Sequence, residues 1–101
     1  MFESWQHSPT LHVFDPPRPV EVALLPTLSW AFMTAGRSPV SLETRAFGLR
    51  VERSQPGRQL AWIRANSGSW IGLVICEVES SNSKCSVQSQ FWLPPDRIRV
   101  L

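Results

Sequence analysis

Tyrosine is absent from this chain of 101 residues, lysine occurs once, cysteine twice, and charged residues make up only 18%. Each scarcity excludes something. Cys76 and Cys85 have no second pair and so form no zinc-type cluster. His7 and His12 have no acidic or thiol neighbour at ligand spacing, so no metal and no cofactor is expected. The five glycines are scattered and cradle no phosphate, and no serine sits in a Gly-x-Ser-x-Gly elbow. No paired carboxylates occur in an apolar setting, so enzyme chemistry has no visible constellation. The apolar stretch 22–35 is interrupted by Pro26 and too short to cross a bilayer. No charged, then apolar, then small-residue signal opens the chain, which reads as soluble and cytoplasmic, with no membrane partner.

What is present is a globular balance, 43% hydrophobic, with five Trp and five Phe to supply buried area. Nine of the ten basic residues are arginine, and they are unevenly placed. Residues 37–64 carry Arg37, Arg45, Arg50, Arg53, Arg58 and Arg64 against Glu43 and Glu52, a local +4, while residues 1–36 sum to −2. That stretch motivates nucleic-acid binding as a second functional reading.

The chain divides into a proline-rich arm (1–19), a strand followed by a helix or loop (20–44), and a small barrel (45–101). Residues 11–14 offer a short edge strand in an otherwise extended or mobile arm. Residues 20–25 form a strand stopped by Pro26. Residues 27–35 read either as a helix capped by Thr27 and ended by Gly36, burying Trp30 and Met33, or as a strand. Pro39 suits the first position of a helical turn in 38–44.

From residue 45 the pattern becomes period two. Phe47, Leu49 and Val51 alternate with Gly48, Arg50 and Glu52; Pro56-Gly57 suits a type II turn; residues 59–65 form the next strand. Gly68 takes the left-handed place in a three-residue loop, which sets Trp62 opposite Gly72 and Leu60 opposite Val74. Residues 70–79 are apolar on both faces as far as Glu77, so this central strand requires two covers. One is the barrel core; the N-terminal half is the expected second, and another subunit the alternative. After a polar tip, Val87, Phe91 and Leu93 share a face, Pro94-Pro95-Asp96 makes one tight helical turn, and Ile98 and Val100 close the barrel. A two-residue tip brings Cys76 opposite Cys85, where a cross-strand disulfide is geometrically conceivable, and a four-residue tip brings Cys76 opposite Val87; two buried free thiols are the expectation. Glu77 and Glu79 are expected to pair with Lys84 across the hairpin. The fold class is therefore mainly all-β, a five-stranded meander barrel with an N-terminal extension.

The residues Trp70-Ile71-Gly72-Leu73-Val74, with Pro94-Pro95-Asp96-Arg97-Ile98 before the last strand, resemble the Src-homology-3-like and Tudor-like small barrels. The likeness is one of architecture over 45–101 and implies no particular activity. Trp70-x-Gly72 and Ser86-Val87-Gln88 are similar to strands of type II dihydrofolate reductase, with Ser89 and Gln90 standing where that family has Ile and Tyr; this implies an oligomeric pore enzyme. Residues 59–77 followed by Phe91-Trp92-Leu93-Pro94-Pro95-Asp96 resemble part of the PilZ-type barrels, which bind cyclic diguanylate. Ser67-x-Ser69-x-x-Gly72 only approaches their binding signature.

The expected working surface is aromatic and Arg-bearing. By parity Trp92 points away from Phe91 and Leu93, and Arg50, Arg64, Arg97 and Arg99 border it, with Trp70 nearby. These residues imply a non-enzymatic binding or assembly module of bacterial type. Its partner is a protein or a second copy through Ile71, Leu73, Ile75 and Trp92, then nucleic acid, then the substrate of a shared-pore enzyme.

Overall fold

A computed structural model describes residues 1–32 and 40–101, and the expectations placed on Met33, Gly36, Arg37 and Pro39 lie outside them. Five antiparallel strands make one curled sheet: β1 (Leu11–Val22), β2 (Gln55–Arg64), β3 (Trp70–Glu79), β4 (Ser86–Leu93) and β5 (Ile98–Val100), in the order β4-β3-β2-β1-β5. Two short helices, α1 (Leu24–Thr27) and α2 (Leu42–Phe47), lie in the long connection between β1 and β2. No helix of the described residues is long and apolar enough to cross a membrane.

The curl follows from the register. Leu93 at the end of β4 lies level with Gly72, Trp62 and His12, whereas Ile98 at the start of β5 pairs with Val22. Five Cα steps separate Leu93 from Ile98 and reach at most roughly 17 Å. A flat sheet would set β4 and β5 about 19 Å apart sideways alone. Only a coiled, nearly closed sheet lets the 3-10 turn Pro95–Arg97 join them. Closure is completed where β3 has no side chain: a Cβ at Gly72 would overlap Ile98 Cδ1 and come within 3.2 Å of both Trp62 Cζ3 and Gln59 Nε2. The enclosed core holds Val20, Val22, Leu24, Val74, Cys76, Val78 and Leu93, with Leu28, Val51, Phe91 and Ile98 packed around it.

The strand beside β2 is not the one expected. Residues 47–51 form no strand; Phe47 ends α2, and Leu49 makes a single bridge to Ser80 while Arg50 N–H donates to Glu79 O at 2.8 Å. The place is taken by β1, which runs from the proline-rich arm into the strand expected from residue 20. Burial decides the competition: Val20 and Val22 become fully inaccessible there, while Phe47 and Leu49 stay half exposed. Prolines 16, 17 and 19 are tolerated because β1 is open on its other side beyond β5, and because its register with β2 is broken between Val13 and Arg18.

Other differences have equally local causes. Pro56 and Gly57 make no turn but sit in β2 opposite Glu21 and Val20; a Cβ at Gly57 would lie 2.7 Å from Cys76 Sγ and 2.9 Å from Ile75 O. Strand 20–25 stops at Val22, because Leu24 begins α1 and buries its side chain in the core. Thr27 ends that helix instead of capping one, its hydroxyl donating to Ala23 O at 2.7 Å, and Trp30 is 68% exposed. Trp62 does face Gly72, and Gly68 does take a positive φ of 95°. Leu60, however, is skipped by a bulge, so that Gln59 and not Leu60 stands opposite Val74.

At the hairpin tip Ser80 N–H donates to Cys85 O, Cys76 pairs with Ser89, and both cysteines are free, Cys76 buried as expected but Cys85 exposed at the tip. Neither expected cysteine register forms. Glu79 meets Arg50, at 2.8 Å, instead of Lys84. The N-terminal half supplies a strand, β1, in the same sheet; on the outer face of β3 Leu73 is buried, Ile71 and Ile75 are half buried, and Trp92 beside them on β4 is 61% exposed.

Two outcomes check this packing. Gly72→Val should lower stability by about 1–3 kcal/mol in urea unfolding, and Ile98→Ala in the same chain should recover part of the loss. Burial pushes the Cys76 thiol up from its ordinary value. Iodoacetamide at mildly alkaline pH should therefore alkylate Cys85 in the folded protein and reach Cys76 only on unfolding, as read by mass spectrometry.

Candidate functional site

The β2–β3 hairpin carries two Trp residues on its inner side. Trp62 faces Gly72, and Trp70 stands opposite Arg64, so both belong to the face that lines the curl. The loop between the strands is held by Ala65 N–H to Ser69 O at 2.8 Å and Gly68 N–H to Ala65 O at 2.9 Å. Arg64 folds back over it, donating from Nε to Gly68 O at 3.0 Å and placing its guanidinium 5.5 Å from the Trp70 ring centre.

β1 and the turn before β5 complete the site. His12 pairs with Trp62, and its ring meets Phe14 edge-on, with centres 4.7 Å apart. Together His12, Trp62, Trp70 and Pro95 line an open groove of about 350 Å³. Its walls are mostly apolar, and among the described residues that line it His12 carries the titratable side chain.

Beneath the groove lies a polar anchor. Gln59, fully buried by the β2 bulge, accepts at Oε1 from Arg18 Nε (2.9 Å) and donates from Nε2 to Ala61 O (3.1 Å). Arg18 in turn lies 4.2 Å from the Phe14 ring centre and 5.9 Å from that of Trp62. The irregular part of β1 is thus clamped onto β2 by one guanidinium shared between an amide and two rings.

Of the residues expected to form the working surface, the structure joins Trp70 and Arg64 at this groove and puts Arg97 in the same 3-10 turn as Pro95. Trp92 lies on the opposite face of the sheet, next to Leu73. Arg50 is occupied at the hairpin tip by Glu79 and, at 3.4 Å, by Glu52. Arg99 binds Glu21 at 2.8 Å on the β5 side, where the Ser54 hydroxyl and Arg99 hold the Glu21 carboxyl below the usual carboxylate range. His12 and Pro95 were not legible as site residues. The alternation of Leu11 and Val13 hinted at a strand, but nothing local placed His12 beside a residue 50 positions onward.

Replacing Arg18 by alanine leaves the Gln59 carbonyl oxygen in the core without its donor. The expected cost is about 1–3 kcal/mol in thermal or urea unfolding. Comparison of the chain with family models, with curated proteins and with solved structures returns no match.

Proposed function

We propose that this chain is a non-enzymatic binding module that holds an extended, proline-containing segment of a protein partner in the groove between His12, Trp62, Trp70 and Pro95. The observation that carries the reading is the convergence of two indoles, an imidazole and a proline ring on one open groove with little polar lining. Such walls accept the compact apolar pyrrolidine rings of proline. A polyproline II segment is already extended when free and loses little entropy on docking. Arg64, at the rim over Trp70, adds a cation for an acidic residue beside the prolines.

The strand order and the 3-10 turn leading into a short last strand support an Src-homology-3-like architecture for the sheet. Two unbridged cysteines suit a reducing compartment such as the cytoplasm of a bacterial cell. Single-stranded nucleic acid is the competing occupant, because bases stack on exposed indoles and Arg64 borders the same ring.

The test titrates the chain with proline-rich decapeptides and with oligothymidylate, following tryptophan fluorescence and the indole N–H signals. Peptide should perturb Trp62 and Trp70, and Trp70→Ala should weaken binding by about 2 kcal/mol, roughly thirtyfold, while leaving the fold intact. Oligothymidylate binding that collapses with added salt, with the peptides inert, transfers the groove to nucleic acid.

A further inference from the structure

The two margins of the sheet are built differently. On one side β5 is only three residues long and includes Arg99, and the part of β1 left open beyond it contains Pro16 and Pro17. Shortness, charge and proline all discourage a second strand from adding there. On the other side β4 runs eight residues, SVQSQFWL, in unbroken register with β3, with no charge, proline or bulge. Among the described residues no backbone hydrogen bond reaches its outer side. Ser80 N–H donates to Cys85 O at the mouth of this hairpin. Antiparallel pairs alternate, so odd-numbered residues of β4 bond to β3, and Ser86, Gln88, Gln90 and Trp92 direct N–H and C=O outward.

We propose that this edge is a self-recognition surface: β4 pairs antiparallel with β4 of a second copy about a two-fold axis at Gln90, joining two barrels into one continuous sheet. The occupant is argued from self-complementarity. With Gln90 on the axis, outward-facing Gln88 meets the 61% exposed Trp92 of the other copy, and Val87, 55% exposed, comes level with the backbone of Leu93, whose side chain stays in its own core. The paired strands end at Ser86 and Pro94, so the same register brings the hairpin tip that carries Lys84 near the 3-10 turn that carries Asp96 of the other copy. Neither Lys84 nor Asp96 has an ion-pair partner in its own chain among the described residues. The strand between them is neutral, so nothing in it opposes its own copy.

The surface is separate from the aromatic groove, and the two are tested apart. Sedimentation of the full chain from about 1 to 500 µM covers the range expected of a small interface. The expected result is a dimer in which the amides of Gln88, Gln90 and Trp92 gain protection from hydrogen exchange on association. Gln90→Pro removes an outward N–H that β3 does not use, and Gln90→Lys sets two cations face to face on the axis. Each should weaken dimerisation tenfold or more with the circular dichroism unchanged. Lys84→Asp should weaken it, and Lys84→Asp with Asp96→Lys should restore it, while Trp70→Ala leaves it untouched. A monomer throughout the range overturns the proposal and leaves the edge to a strand of another protein. A dimer indifferent to both Gln90 variants overturns it too and moves the contact to the outer face around Trp92.

Discussion

The missing side chain at Gly72 is the constraint on which the rest of the architecture depends. Ile98, Trp62 and Gln59 converge on that position from β5 and β2, and none of them could approach if β3 carried a Cβ there. Their convergence brings the last strand across the barrel, coils the sheet tightly enough for the short link from Leu93 to Ile98 to close it, and sets Trp62 at the mouth. The groove is therefore a by-product of closure. Its second indole, Trp70, lies two residues before the glycine on the same face of β3, and Pro95 lies in the link that closure makes short.

The β2 bulge at Leu60 supplies the complementary half of the design. Without it Leu60 would enter the core opposite Val74; with it a carboxamide does, at the point where β1 loses its register. Burying an amide costs several kcal/mol unless its hydrogen bonds are made. Gln59 makes them to Arg18 and to Ala61, and so converts a liability into a joint between two strands. The proline-rich stretch that would otherwise be a loose arm is held as a strand, and His12 is brought to the groove.

That use of β1 gives its prolines a second meaning. A proline-rich strand satisfies a sheet on one side and refuses a partner on the other, and β5 covers the remainder with only three residues. The opposite margin, uncharged and regular, has no such guard. On the outer face Trp92, paired with the buried Leu73, is itself exposed, so the apolar character of β3 continues to the edge of the sheet.

Where neighbours in sequence decide structure, the amino-acid order was enough. Period-two alternation and Gly68 specified β3, its hairpin with β2 and the pairing of Trp62 with Gly72, and Pro94-Pro95-Asp96 announced the turn before β5. Those features also contain Trp70 and Arg64, the legible part of the groove. The identity of the strand beside β2 was settled elsewhere. Phe47-x-Leu49-x-Val51 carries the better local pattern, yet Val20 and Val22 are completely buried with β1 in that place. His12 and Pro95 join the groove through that same pairing and through closure. Alternation records which residues share a face of a strand, whereas the choice of neighbouring strand depends on the area buried across the whole barrel, and that area exists only once the chain has folded.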